Sequence, residues 1–244
     1  MLAGGPIAAR VILRPGVSVA GVDGCRAGWV VATLRDRDGP RLVLEVVTSL
    51  HSVIEDVKAG RLTSVAVDMP IGLPAGGWRE CDTEARRLLG RRRSSVFPTP
   101  TRSVLGARSY EEACARSVRA CGKKVSKQLF NILPRIDEVN RLMSPTLQSR
   151  VFEMCPELSF AMLRGTPMCA SKRTPEGRAE RLRVLRSEFG DVTALVAEPP
   201  PGAEPHDVLD AIVGAWTARR HAVGAHTRLG GAQDETGLHM EVIA

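Results

Sequence analysis

Ser18-Val-Ala-Gly-Val-Asp23-Gly-Cys-Arg-Ala-Gly28-Trp-Val-Val-Ala-Thr-Leu34 consists of two apolar runs joined by a glycine-bounded turn. This pattern predicts a hairpin with strands from about Val17 to Asp23 and from about Trp29 to Leu34. The first strand ends on an aspartate, a residue that is depleted in strands and that loses hydration when it is buried. Asp23 therefore needs a partner, and we interpret that partner as a metal ion.

The sequence on either side of the hairpin completes a mixed sheet. A third strand is predicted from Leu42 to Val47, which gives an antiparallel meander of three strands. Ser49 is the expected N-cap of an amphipathic helix that ends near Gly60. Thr63 to Asp68 is predicted as a fourth strand. A strand, helix, strand connection usually gives parallel neighbours, so this strand should lie parallel to the first.

Two carboxylates should then meet at one edge of the sheet. Asp23 and Asp68 both lie at the carboxyl ends of their predicted strands, where open α/β sheets bind ligands. Two like charges held close together repel unless a proton or a cation lies between them. Ligation by oxygen alone favours Mg²⁺ or Mn²⁺.

Further acidic residues follow later in the chain. A predicted helix from His206 to Arg220 carries Asp207 and Asp210 on one face. Asp207 is also explained by favourable interaction with the helix N-terminus. Asp210 lies a turn further in, among apolar residues, and buried carboxylates are rarely left unpaired. We therefore predict that Asp210 is functional.

A fifth strand is predicted from Val151 to Glu157, breaking at Pro156. Glu153 and Glu157 lie at or just beyond its end, so either glutamate is a further candidate metal ligand. For Glu157, a position in the first turn of the following helix is an equally good explanation. A short last strand is predicted from Leu238 to Ile243.

Positive charge is concentrated in one segment of the chain. Fourteen Lys and Arg against five Asp and Glu lie between Arg79 and Arg135, while the formal charge of the whole chain is +7. A localised basic excess is typical of a surface that binds polyanions. Helices are predicted at Trp78 to Leu89, Ser109 to Cys121 and Ser126 to Met143. We interpret residues 78–145 as a helical basic insertion after the fourth strand.

Guanidinium groups and hydroxyls, which both suit phosphate oxygens, cluster on a predicted loop between the first two of these helices. A solvated run of charge explains the same residues equally well. The candidate phosphate ligands are Arg91, Arg92, Arg93, Ser94, Ser95 and Lys172.

The chain also contains a set of short motifs. They are Gly21-Val-Asp-Gly-Cys-Arg-Ala-Gly-Trp29, Asp68-Met-Pro-Ile-Gly-Leu-Pro74, Cys81-Asp-Thr-Glu-Ala-Arg86, Ser95-Val-Phe-Pro98, Glu153 to Phe160 and Asp207-Val-Leu-Asp210-Ala. Together they resemble the family called domain of unknown function 429, from about Val17 onward. The family usually has a histidine where this chain has Cys155, and an acidic residue where it has His206.

Members of that family are regarded as predicted nucleases of RNase H fold, and the late Asp-x-x-Asp pair is similar to that of bacterial Holliday-junction resolvases. The resemblance implies an α/β fold with an RNase H-like mixed sheet, in which an antiparallel meander and parallel strands are flanked by helices. We expect a disordered leader over residues 1–16 and a single RNase H-like domain over residues 17–244.

The resulting hypothesis is a metal-dependent nuclease that hydrolyses phosphodiester bonds of DNA or RNA by a two-metal mechanism. Asp23, Asp68 and Asp210 are the expected ligands of two Mg²⁺ or Mn²⁺ ions, with Asp207 assisting. One alternative is a catalytically inactive nucleic-acid-binding protein of the same fold. Another is an ATP-using enzyme of the actin and sugar-kinase group, which would need two such domains.

The expected partner is nucleic acid. No run approaches the roughly 18 apolar residues of a membrane span, so no membrane partner is expected. The six cysteines show no CxxC spacing, which favours reduced thiols and a cytoplasmic protein. A dimer is left open.

Overall fold

The computed structural model describes residues 17–36 and 40–244. The predicted leader at 1–16 and residues 37–39 lie outside these ranges. The strands are β1 (Ser18–Cys25), β2 (Gly28–Asp36), β3 (Pro40–Val47), β4 (Ser64–Val67), β5 (Val151–Glu153), β6 (Arg228–Gln233) and β7 (His239–Ile243). The α-helices are α1 (His51–Lys58), α2 (Glu80–Leu89), α3 (Tyr110–Cys121), α4 (Lys127–Leu142), α5 (Pro145–Gln148), α6 (Pro156–Arg164), α7 (Pro175–Phe189), α8 (Thr193–Ala197) and α9 (Pro205–Ala222). Two 3₁₀ helices cover Gly90–Ser95 and Arg102–Val104.

The main sheet has five strands in the order β3-β2-β1-β4-β5. β1 pairs with β2, and β2 with β3, in antiparallel fashion. β4 lies parallel to both β1 and β5. The predicted α/β class, with a meander followed by parallel strands and flanking helices, is confirmed.

Helices cover both faces of the sheet. Val19 and Val30 belong to the apolar core that α9 shares with the sheet. Val22 and Val65 lie on the other face, in a core shared with α1 and α4. In the described part of the chain, no helix is both long enough and apolar enough to cross a membrane.

A second, two-stranded sheet was only half predicted. β7 matches the expected last strand, but its antiparallel partner β6 was missed. β6 contains Gly230 and Gly231, and glycine lowers strand propensity because it adds backbone entropy and no packing side chain. The pairing is irregular between Gly230 and Ala232, which obscures the period of two on which the prediction depends.

Three local predictions need correction. The predicted loop at Arg91–Ser95 forms most of a 3₁₀ helix. Ser49 is not the N-cap of α1, which is Leu50, although the Ser49 hydroxyl accepts a hydrogen bond from the His51 N–H at 3.2 Å. The fifth strand is shorter than expected and ends at Glu153, since Pro156 already begins α6.

Helix α9 lies unusually close to β1. A Cβ on Gly21 would stand 2.1 Å from the Ala211 carbonyl oxygen and 2.2 Å from the Ala215 nitrogen. A Cβ on Gly214 would stand 2.9 Å from the Gly21 Cα. The helix backbone therefore rests on the strand backbone, and only glycine permits this distance.

We predict that Gly21→Ala lowers the free energy of unfolding by about 3 kcal/mol or more, because its methyl group would overlap rigid backbone. Denaturant unfolding measures this change. The matched control is Gly24→Ala on the same strand, where the new Cβ would meet the flexible Arg135 side chain at 3.0 Å. Equal losses in the two variants would contradict the close packing of α9 on β1.

His221, near the end of α9, gives a second prediction. Its ring lies 4.1 Å from the Phe152 ring and 4.6 Å from the His226 ring, centroid to centroid. Burial, together with the neighbouring His226 and Arg228, lowers the pKa of His221 to about 4. The folded state therefore favours the neutral ring, so His221 contributes stability above about pH 6.5 that is lost as the pH falls towards 4.

We expect wild-type protein to lose about 1 kcal/mol more than His221→Gln between pH 7 and pH 4, a value discounted because the ring is partly exposed. Denaturant unfolding at a series of pH values tests this. The exposed His51→Gln variant is the control, and identical pH profiles for wild type and His221→Gln would contradict the prediction.

Candidate metal centre

Three acidic side chains from separate elements converge at the carboxyl edge of the sheet. Asp23 lies on β1, Asp68 directly follows β4, and Asp210 lies in α9. One carboxylate oxygen from each residue lies within 4.8 Å of the other two. The structure thus brings together the three residues that the sequence singled out as metal ligands.

The backbone explains why these residues meet. The Asp68 N–H donates to the Val22 carbonyl oxygen at 2.9 Å, which places Asp68 beside the end of β1. Asp210 precedes Gly214 by four residues and so lies on the same face of α9. Because α9 approaches β1 closely at Gly214, Asp210 lies near the ends of the strands.

The centre is buried and carries like charges. Asp23 is 7% exposed and Asp210 is fully buried. Burial raises the pKa of Asp23 well above its ordinary value, and the charges of Asp68 and Asp210 raise it further. Burial likewise raises the pKa of Asp68 to about 7, although the positive charge of Lys172 opposes the shift. The three carboxylates therefore favour a cation among them.

The donor atoms fit a divalent cation. Asp210 Oδ1 is buried and has no hydrogen-bond partner, and an unpartnered buried carboxylate oxygen is costly. The grouped atoms are all carboxylate oxygens, which are the ligands that hard cations such as Mg²⁺ and Mn²⁺ prefer. This buried group could bind a metal ion.

Lys172 lies inside the centre. Its ammonium group forms an ion pair with Asp210 Oδ2. The charges of Asp210, Asp23 and Asp68 raise the pKa of Lys172 against the opposing effect of burial. The residue that the sequence suggested as a phosphate ligand therefore contacts the acidic group directly, and it supplies one positive charge to three carboxylates.

Asp207 does not belong to this group of three. Its Oδ2 accepts a hydrogen bond from the Glu204 N–H at 2.9 Å, as part of a capping box at the start of α9. Its Oδ1 lies 3.3 Å from His206 Nε2. Asp207 does line the cleft above the carboxylates, but its hydrogen bonding agrees with the helix-terminus explanation.

The two glutamates are neutralised by arginines. Both Glu153 oxygens accept hydrogen bonds from the buried Arg79 guanidinium at 2.6 Å. Glu157 forms ion pairs with Arg92, at 3.1 Å, and with Arg181. Neither glutamate joins the three aspartates.

A cleft of about 490 Å³ opens above Asp23 and Asp68. Of the predicted phosphate ligands, Arg92, Ser94, Ser95 and Lys172 line it, whereas Arg91 and Arg93 do not. A 3₁₀ helix has three residues per turn, so successive side chains leave it in different directions. Only part of the arginine run can therefore face the carboxylates.

The sequence analysis missed several of the residues that line the cleft, and three of them carry long polar or cationic side chains. Gln128 and Arg135 come from α4, and Arg173 follows Lys172. Arg135 donates to the Cys25 carbonyl oxygen and so is fixed near the end of β1. The basic excess of the segment was the available signal for Arg135, but sequence alone does not show which of its cations reaches the cleft.

The fold and the site together define an α/β protein with a buried acidic centre at the carboxyl edge of its sheet. A family model described as "Protein of unknown function (DUF429)" matches residues 21–235. The chain belongs to this family, and the matched range contains all three aspartates. No curated protein and no solved structure gives a significant match.

We predict that millimolar Mg²⁺ or Mn²⁺ raises the melting temperature of the protein, because a cation that binds only the folded state stabilises it by about 2.7 kcal/mol at 100 times its Kd. Asp68→Asn should abolish this shift. In metal-free buffer, Asp68→Asn should be at least as stable as wild type, because the substitution removes one of the repelling charges.

Differential scanning fluorimetry with and without a chelator measures both effects. The matched control is Asp191→Asn, whose carboxylate is exposed in an ion pair with Arg186 and which should behave as wild type. A metal-induced shift of equal size in Asp68→Asn would show that the cation binds elsewhere.

Proposed function

We propose that the protein is a metal-dependent nuclease of RNase H-like fold that hydrolyses phosphodiester bonds. The observation that carries the proposal is the convergence of Asp23, Asp68 and Asp210 within 4.8 Å. Asp23 and the partly buried Asp68 line a cleft, Asp210 is fully buried next to them, and cationic side chains line the same cleft. This combination suits a phosphate-bearing substrate held against divalent ions.

Asp23, Asp68 and Asp210 would hold one or two Mg²⁺ or Mn²⁺ ions. Such ions supply a water of lowered pKa and neutralise charge on the phosphoryl oxygens. The carboxylates themselves fix the coordination site, because each is anchored on a different element of the core. Asp210 Oδ1 is buried without a hydrogen-bond partner, so it is available to accept a ligand bond.

The cleft also contains the groups that would bind the substrate phosphates. Arg135 and Arg173 line it, and guanidinium groups bind phosphate oxygens through two parallel hydrogen bonds. Arg92 is partly committed to Glu157. The hydroxyls of Ser94 and Ser95 add neutral donors at the same wall.

The topology supports the RNase H-like part of the proposal. An antiparallel meander leads into parallel strands, and the acids lie on β1, after β4 and on a late helix. This is the arrangement that the resemblance noted from the sequence implies. The actin-type alternative has no comparable support, because the described residues contain one meander and that group needs two such domains.

A nucleic-acid-binding protein without hydrolytic activity is the second candidate. The ion pair between Lys172 and Asp210 favours it, since a lysine can partly neutralise buried carboxylates without any metal. Both candidates predict salt-dependent binding of nucleic acid. Only the first predicts turnover that requires a divalent ion.

The test is to incubate single-stranded, duplex, hybrid and branched substrates with Mg²⁺ or Mn²⁺ and to follow cleavage on gels. Asp23→Asn and Asp210→Asn should each lower the cleavage rate about 100-fold or more, because the ions contribute several kcal/mol of charge stabilisation. Asp191→Asn, remote from the cleft, should keep the wild-type rate.

Cleavage that persists in both variants, or that is unaffected by a chelator, would overturn the nuclease assignment. Binding that falls with salt but is never followed by cleavage would favour the second candidate.

Asp207→Asn tests whether Asp207 acts as a metal ligand. We expect it to lower the cleavage rate less than Asp210→Asn does, because Asp207 is engaged in the capping box.

A further inference from the structure

A second groove, of about 260 Å³, lies next to the carboxylate cleft. Its walls come from the basic helical segment and from the loop before the second 3₁₀ helix. The lining residues are Gly77, Trp78, Phe97, Pro98, Thr99, Pro100, Thr101, Ser117, Cys121, Lys123, Lys124, Val125, Ser126 and Leu129. Phe97 lines both the groove and the cleft, so the two are neighbours on the surface.

Two aromatic side chains are exposed in this groove. Trp78 is 43% exposed and Phe97 is 37% exposed. The other tryptophans, Trp29 and Trp216, are buried, as expected for large apolar side chains. Trp78 and Phe97 are therefore not fully used in core packing, and their exposed ring surfaces can contact a ligand.

Cationic groups lie near the exposed Trp78 ring. The Arg86 guanidinium carbon lies 5.2 Å from the Trp78 ring centroid, and Lys123 Nζ lies 5.9 Å from it. Arg86 is held in place by hydrogen bonds to the carbonyl oxygens of Arg93 and Val96. Lys124 adds a further cation, and none of the residues found to line the groove is acidic. The groove thus complements a ligand that combines flat rings with negative charge.

We propose that this groove binds unpaired nucleobases of a single-stranded segment of nucleic acid whose backbone continues into the carboxylate cleft. Aromatic side chains stack on any base, and nearby Lys and Arg neutralise the intervening phosphates. A base within a duplex is already stacked on its neighbours, so its faces are not available to Trp78. The proposal rests on the proposed function only for what happens in the cleft, since base binding itself needs no metal.

Tryptophan fluorescence tests the proposal in a buffer that contains a chelator, so that no metal-dependent cleavage occurs. The probe is a single-stranded oligodeoxythymidine, which should quench the emission of the exposed Trp78. Affinity is measured separately with a dye-labelled strand by fluorescence anisotropy. Trp78→Ala should weaken binding of the strand roughly tenfold or more, while circular dichroism confirms that the variant is folded.

Matched ligands separate stacking from charge. An abasic strand of the same length carries the same phosphates without bases, and it should bind wild type roughly tenfold more weakly while being insensitive to Trp78→Ala. The affinity for a duplex of mixed sequence should also be unchanged by that substitution.

Phe97→Ala provides a second variant, which should weaken binding of the base-bearing strand but not of the abasic strand. Val223→Ala, at the exposed apolar residue that directly follows α9, is the control and should bind as wild type.

Equal affinity for the abasic and base-bearing strands would overturn the proposal. So would wild-type binding by both Trp78→Ala and Phe97→Ala, or quenching by an acidic peptide at the same concentrations, which would assign the groove to a protein partner. Failure of the nuclease proposal would be seen differently. Metal-dependent cleavage would then be absent, while the base-bearing strand would still bind more tightly than the abasic strand. Cleavage by wild type together with no effect of Trp78→Ala on strand binding would refute the groove alone.

Discussion

The position of Asp210 depends on the close contact between α9 and β1. There is no space for a Cβ between the two backbones at Gly21 and Gly214. The helix therefore lies closer to the sheet than it could if a side chain stood between them. A helix displaced outward by even one methyl layer would carry Asp210 away from Asp23 and Asp68. The acidic centre is therefore a consequence of backbone packing in the core, and stability and function share the same contact.

The burial of like charges distinguishes this centre from the other acids nearby. Glu153 is held by Arg79, and Glu157 by Arg92 and Arg181, so each has the internal partner that a buried carboxylate requires. The three aspartates share a single lysine among them. Each glutamate is thus paired with an arginine inside the fold, whereas the three aspartates have less positive charge than negative charge, a deficit that an external cation can fill.

Sequence patterns predicted the parts of the site that depend on local structure. Asp23 and Asp68 follow from two apolar strands and one crossover helix, since strand direction and side-chain position are then determined. The sequence offered a helix-terminus explanation for Asp207 beside the functional one, and it could not separate the role of Glu153 from that of the aspartates. Spacing on a helix does not show that Asp207 closes a capping box, and the partner of Glu153 lies 74 residues away in the chain. Long-range pairing decided the case of Glu153, whereas a local hydrogen bond from the Glu204 N–H, three residues earlier, decided that of Asp207.

Sequence alone also could not predict which cationic side chains line the cleft. Arg92, Arg135 and Arg173 belong to three separate segments, and they line one cavity only after the chain has folded. Carboxylates alone would repel a phosphate group, so an acidic centre that acts on a polyanion needs positive charge close by. The basic segment supplies Arg92 and Arg135, two of the four lysines and arginines that line the cleft. Because the same segment also contains Trp78, the segment that would bring phosphates to the acids in the proposed function could also orient the bases attached to them.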